Sequence, residues 1–204
     1  MAKLESSFRN MVLSLVMITG LAAALLASVY KMTKEPIAFS EKQKQIDAIG
    51  QVVPAFDNSP LDEACKVAVA GADSFTVFLA KKNGKLVGAA VEAVTNKGFS
   101  GKIRLMVGFD AEGNVVNYVV LKHSETPGLG SKMQQWFSDK SKSSQSILGH
   151  NPETPLKVKK DGGEVDAITA ATISSRAFLD AVNQAAKAYH STTGNDVKSG
   201  MNAN

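Results

Sequence analysis

The chain has 204 residues, 44% of them hydrophobic and 21% charged, with a formal net charge of +4. That length and balance suit one globular domain with additions, and a core that needs no staples. The lysines are scattered and carry no interleaved aromatics, which argues against a nucleic-acid partner, and the single Cys65 excludes an internal disulfide, a multi-cysteine metal site and an iron–sulfur cluster.

In chain order, residues 1–10 are polar, and residues 11–30 then run for about twenty positions without a charge, enough to cross roughly 30 Å of hydrocarbon. Tyr30 stands at the interfacial position, followed by Lys31 and Lys34. The apolar stretch is longer than the core of a cleaved leader and apolar on all sides, so it reads as a retained transmembrane helix. Basic residues flank both ends, so charge does not set its orientation. Residues 31–60 read as a stalk: a polar helix-like segment from Lys34 to Gly50 with Pro36 near its start, broken by Val52-Val53-Pro54 and Asn58-Ser59-Pro60.

The folded domain is expected over 61–190. Cys65 reads as a small buried apolar residue. Phe75 to Ala80 and Leu86 to Val94 form a predicted hairpin around Asn83-Gly84, with Gly88 and two alanines weakening the return strand. Ile103 to Phe109 and Val115 to Leu121 form a second hairpin. Antiparallel neighbours with helices gathered elsewhere indicate an α+β fold. A short helix over Met133 to Phe137 follows, then short strands at Leu156 to Lys159 and Val165 to Ile168. From Ser175, apolar residues at Phe178, Val182, Ala185 and Tyr189 predict a helix. Residues 191–204 are polar and read as a flexible tail.

Two loops are chemically suggestive. After the second hairpin, Glu125-Thr126-Pro127-Gly128-Leu129-Gly130 is stiff at the proline and permissive at the glycines, so backbone there can approach a planar ligand. Preceding the last helix, residues 166–175 are small and hydroxylated, with Ser174 and Ser175 as N-cap types. A helix mouth with open N–H groups suits a phosphate, and Thr172 puts a hydroxyl there. Taken alone, the stretch reads as an ordinary helix cap with no ligand. His123 has no metal-spaced partner. The chain carries no nucleophile elbow, P-loop or dinucleotide fingerprint, so any redox chemistry must come from a cofactor.

Three segments together resemble the FMN-binding domain family: KGFSGKI (97–103) its glycine–aromatic–x–glycine loop, HSETPGLGSK (123–132) its Glu-Thr-Pro-Gly-Leu-Gly element, and ITAATISS (168–175) its flavin-attachment motif. Ala170 stands where that motif usually has glycine. With the N-terminal anchor added, the chain resembles the branch formed by the G subunits of Rnf ion-translocating electron-transport complexes, whose near relatives are the C subunits of sodium-translocating NADH:quinone oxidoreductases.

The resemblance implies covalent FMN as a phosphoester on Thr172, installed by a magnesium-dependent flavin transferase. It implies phosphate neighbours at Thr169, Ala171, Ser174 and Ser175, and a ring lying against Glu125, Thr126, Gly128 and Leu129. It further implies a single-pass protein of the bacterial inner membrane, with residues 1–10 cytoplasmic and the domain periplasmic. There it would relay electrons among the other subunits of a membrane complex coupling electron flow to ion movement. A subunit like the C subunits of sodium-translocating NADH:quinone oxidoreductases, a stand-alone extracytoplasmic flavoreductase component and a flavin-free membrane-anchored assembly or binding protein remain open alternatives.

Overall fold

The computed structural model describes residues 7–68 and 74–201, and the chain divides into two compact units, residues 1–43 and residues 44–204. The first unit is helical from Phe8, within a helix α1 that runs Phe8–Val52. Among the described residues it is the one helix long and apolar enough to cross a membrane. Its hydroxyls are satisfied inside the helix: Thr19 Oγ1 donates to Leu15 O at 2.8 Å and Ser28 Oγ to Ala24 O at 2.8 Å. Hydrocarbon offers hydroxyls no partner, and this back-bonding supplies one. Helix α1 continues through Pro36, so no break separates the apolar span from the polar segment. The proline removes one N–H donor, a loss an exposed segment tolerates.

The second unit is built on a five-stranded antiparallel meander, β1 Ala64–Ala68, β2 Ser74–Lys82, β3 Lys85–Gly98, β4 Gly101–Asp110 and β5 Val115–Lys122, in spatial order β1-β2-β3-β4-β5. Alternation sends Ile103, Leu105, Val107 and Phe109 to one face and Met106 to the other. A short helix α2, Met133–Trp136, follows the sheet, and a long helix α3, Thr172–Met201, ends the described chain. The first face packs on α3, whose Phe178, Leu179, Val182, Ala185, Ala186 and Tyr189 are all buried as the helical spacing predicts. Phe178 sits between Phe137, stacked at 4.4 Å, and Tyr118, edge-on at 4.9 Å, and the Tyr118 hydroxyl donates to Met133 O at 2.7 Å at the start of α2. Aromatic burial of this kind dominates core energetics.

Ala48, Ile49, Val52 and Val53 bury against Phe78, Ala80, Ala90 and Met106 on the second face. This unit therefore begins at Lys44, well before Leu61, because the end of the polar segment carries core residues. The glycines of β3 and β4 also gain a reason. A side chain at Gly108 would lie 1.8 Å from Val52 O, and one at Gly88 would lie 2.3 Å from Phe109 O and 3.1 Å from Pro54 Cδ. Smallness here permits close packing of the incoming chain rather than weakening the strand.

Several local expectations are corrected. Cys65 is exposed, because it lies on edge strand β1, where the sheet does not cover it. The strands expected at 156–159 and 165–168 reduce to one bridge, Val158 to Val165. Between them, a 3-10 turn at Lys159–Asp161 ends on Gly162 in the left-handed region (φ 78°), which curls the chain away from a ladder. Helix α3 continues past Ser191 to Met201, with Thr192 still buried. Residues 202–204 of the expected tail lie outside the described residues.

Candidate functional site

Three loops converge at the start of α3. Strands β3 and β4 pair Gly98 with Gly101, which leaves Phe99 and Ser100 as the two-residue turn; Gly101 takes φ 109° to close it. Phe99 is 67% exposed at this tip. The second loop follows β5. In it Leu129 N–H donates to Thr126 O at 3.2 Å, and Gly128, at φ 78°, donates its N–H to Ser131 Oγ at 2.9 Å. The third is the stretch running into α3.

A buried carboxylate joins all three. Glu125 is 4% exposed. Its Oε1 accepts the Ser100 N–H at 2.9 Å, and its Oε2 accepts the Ser174 hydroxyl. Its own N–H donates to His123 Nδ1 at 3.2 Å, so His123 serves the loop backbone. Two glycines make room for it. A Cβ on Gly98 would lie 2.7 Å from Oε1; one on Gly130 would lie 2.8 Å from Oε2 and 2.6 Å from Ser174 Oγ. No side chain fits at either position without moving the carboxylate.

The helix opens at Thr172, two residues earlier than the serines suggested. Ser175 N–H donates to Ala171 O at 3.0 Å, which closes the first turn. The Ser175 hydroxyl is fully buried, taking the Ile168 N–H at 2.9 Å and donating to Ala171 O at 2.9 Å. Ser174 is spent on Glu125. Neither serine caps the helix, so the N–H groups of Thr172, Ile173 and Ser174 have no partner among the described residues. That is the ordinary complement of open donors at a helix start. Thr172 Oγ1 likewise makes no hydrogen bond among the described residues and sits half-buried.

Ala170 adopts φ 60°, the left-handed region that costs an L-residue about 1–2 kcal/mol. Upstream, Asp166 fixes the approach: its N–H donates to Ser144 O at 2.6 Å, its carboxylate accepts Ser144 Oγ at 2.6 Å and pairs with Lys159 Nζ at 2.8 Å, and its carbonyl accepts the Trp136 indole N–H at 2.9 Å. The Lys159 ammonium and Ser144 hydroxyl hold the Asp166 carboxyl below the usual carboxylate range.

The space enclosed is a cavity of about 340 Å³ lined by Phe99, Glu125, Thr126, Leu129, Gly130 and Ala170 to Ser174. Of the residues expected from sequence, it gathers Glu125, Thr126, Leu129, Ala171, Thr172 and Ser174. Gly128 shapes the loop outside the lining, exposed Thr169 lies before the cavity wall, and Ser175 faces the core. Phe99 and Ile173 line the cavity without having been named from sequence as contacts. An aromatic held between glycines in a tight turn was the available signal for Phe99. Among the described residues, the large hydrophobics exposed beyond α1 are Phe99, Leu129 and Ile173, and all three line this cavity.

The donor set fits FMN. An apolar rim suits a flat aromatic ring, open amides suit a phosphate, and the unpaired Thr172 hydroxyl stands between them. The FMN-binding domain family profile matches residues 98–187, a span containing every lining residue. Relatives named as the G subunit of the ion-translocating oxidoreductase complex align over most of their length. That of Aliivibrio fischeri is 37% identical over 183 residues, covering 82% of this chain and 83% of the relative. Those of Salmonella typhimurium and Escherichia coli are 38% and 36% identical, each over 179 residues covering 85% of this chain and 86% of the relative. With an FMN-binding domain built on these loops and such relatives along its length, the chain belongs to the family of G subunits of ion-translocating oxidoreductase complexes.

Proposed function

We propose that the chain is a membrane-anchored flavoprotein subunit that carries FMN on Thr172 through a phosphoester and relays electrons within an ion-translocating oxidoreductase complex. The observation that carries this reading is the position of the unpaired Thr172 hydroxyl, at the wall of the one cavity that collects the domain's exposed large hydrophobics among the described residues. FMN, when bound, supplies reversible electron transfer that the side chains here do not.

The chain's own residues bind, orient and shield. The amides of Thr172, Ile173 and Ser174, together with the positive end of α3, favour the phosphate charge. Phe99, Leu129 and Ile173 offer apolar contact to a ring and exclude water from it. Glu125 holds the hairpin tip and the helix mouth in register. Ala170 already takes the left-handed conformation that glycine would take, so its methyl leaves the loop path intact and favours a flavin-bearing domain over a flavin-free one.

Half-burial of Thr172 leaves its hydroxyl within reach of a magnesium-dependent flavin transferase, the partner that would install the group. A tethered flavin cannot dissociate, which suits a carrier facing the extracytoplasmic side, where α1 would deliver the domain across the bilayer lipid. Contacting subunits would meet the domain at the Phe99–Leu129–Ile173 rim, since that is where a ring would be most accessible.

Mass spectrometry of the chain coexpressed with the transferase tests the attachment. The peptide holding Thr172 is expected to gain the mass of FMN less one water; an unmodified peptide under those conditions overturns it. Thr172→Ala is expected to abolish in-gel flavin fluorescence, and survival of the signal would place the flavin elsewhere. Protease accessibility in intact spheroplasts tests sidedness: the domain should be cut from outside, and protection would reverse the orientation.

A further inference from the structure

Glu125 is the single ionisable residue in the cavity lining, and electron carriage alone does not require it. Both carboxylate oxygens accept, one from the Ser100 N–H and one from the Ser174 hydroxyl. Neither partner carries a charge. Two cations of the neighbouring groove are engaged there: Lys97 Nζ pairs with Asp180 at 2.8 Å and Arg176 with Asp161 at 2.6 Å. Gly98 and Gly130 leave space for this carboxylate that any other residue would close. A negative charge with two neutral donors therefore stands, nearly dry, in the wall of the cavity.

Resting on the flavin reading above, we infer that Glu125 is a positioning residue that also sets the redox potential of the group held in this cavity: its buried charge opposes electron addition and so lowers the midpoint potential. The physical reason is that charges interact far more strongly where water is excluded, and an electron arriving beside a fixed negative charge is disfavoured. Open amides at the start of α3 act in the opposite sense and are directed at the phosphate end. The carboxylate is thus the element of the lining that acts on the ring electrostatically, while its two hydrogen bonds hold the loops that form the cavity.

Glu125→Gln separates the two roles. Glutamine keeps the shape: its oxygen accepts the Ser100 N–H, and its NH₂ donates to Ser174 Oγ, which has lone pairs free. The loop junction is retained and only the charge is lost. Full-length chain, coexpressed with the flavin transferase and purified in detergent, is titrated spectroelectrochemically. Glu125→Gln is expected to shift the flavin midpoint to a more positive potential; an unchanged or more negative midpoint in flavin-bearing protein overturns the inference. Ser174→Ala keeps the charge and removes one donor, so its midpoint is expected at or below the wild-type value. A rise there would assign the effect to the lost hydrogen bond and overturn the inference. If Glu125→Gln carries no flavin, the Ser174→Ala midpoint decides by the same criterion. Absence of flavin from the wild-type chain, read by mass, is a different result: it removes the attachment reading on which the inference stands.

Discussion

Two cavities flank the first turns of α3, and the larger is not the one proposed to hold FMN. The groove on one side is about 630 Å³ and is lined by Lys97, Asp161, Arg176, Asp180 and Lys187 among others. Two ion pairs close across it, Arg176 bidentate to Asp161 at 2.7 and 2.6 Å, and Lys97 to Asp180 at 2.8 Å. The cavity on the other side is about half the size and contains one ionisable residue, three exposed hydrophobics and, among the described residues, two unpaired hydroxyls, Thr126 and Thr172. Ile173 lines both. The difference teaches that binding capacity lies in what is left unpaired. Both carboxylates of the groove are closed by cations, whereas the smaller cavity leaves amides, the Thr126 and Thr172 hydroxyls and apolar surface without partners among the described residues.

That contrast can be broken or sharpened by substitution. The largest effect is expected at Gly130→Ala, whose added methyl meets both Ser174 Oγ and Glu125 Oε2. Overpacking of this kind costs about 1–3 kcal/mol. The melting temperature should fall, and flavin loading measured by visible absorbance per chain should fall with it. Gly128→Ala comes next. A Cβ there meets nothing, but φ is 78°, so the cost is conformational, about 1 kcal/mol. Stability should drop while flavin loading is retained, because Gly128 is outside the lining; equal loss of flavin from both glycine variants would erase the distinction between them.

Ala170→Gly is expected to act in the other direction. Relief of the left-handed strain is partly offset by the freedom glycine gains when unfolded, leaving a net stabilisation of about 0.5–1 kcal/mol. Chemical denaturation of the flavin-free protein reads it, and a destabilised variant would show that the alanine methyl contributes packing at the attachment loop.

The smallest effect belongs to the groove. The Arg176 guanidinium holds the Asp161 carboxyl below its ordinary value, so that pair stabilises the fold above the unfolded carboxylate pKa and loses its contribution as pH falls through the lowered folded value. Asp161→Asn should flatten the acid limb of a stability-versus-pH curve slightly and leave flavin loading and midpoint unchanged. A change in the flavin would mean that the two cavities act as one.

Much of this was legible in sequence because local physics is strong at those points. Residues 11–30 declare a membrane helix by length and lack of charge, and Phe178 to Tyr189 declare an amphipathic helix by spacing. Asn83-Gly84 specifies its hairpin. The Thr172 hydroxyl was legible through motif company, since a helix mouth by itself is ordinary. Other features were not legible, because each depends on a partner distant in the chain. Cys65 reads as core until the edge position of β1 exposes it. Ile49 reads as an apolar point on a polar segment and Val52 as part of its break until both bury against the sheet, Val52 at Gly108. Phe99 reads as one more aromatic until its tip is set beside Leu129 and Ile173.

Adjacent serines show the division most clearly. Sequence determined that residues 169–175 would form a hydroxyl-rich approach to a helix, since small residues and apolar periodicity act within a few positions. It offered Ser174 and Ser175 equally as phosphate neighbours. Tertiary structure decided otherwise: Ser175 turns inward to Ile168 and Ala171, Ser174 meets Glu125 across 49 residues of chain, and of the hydroxyls at the start of α3 that of Thr172 is left without a hydrogen bond among the described residues. Side-chain type fixes which hydrogen bonds a residue can make, but which it does make depends on the groups that long-range packing brings within reach.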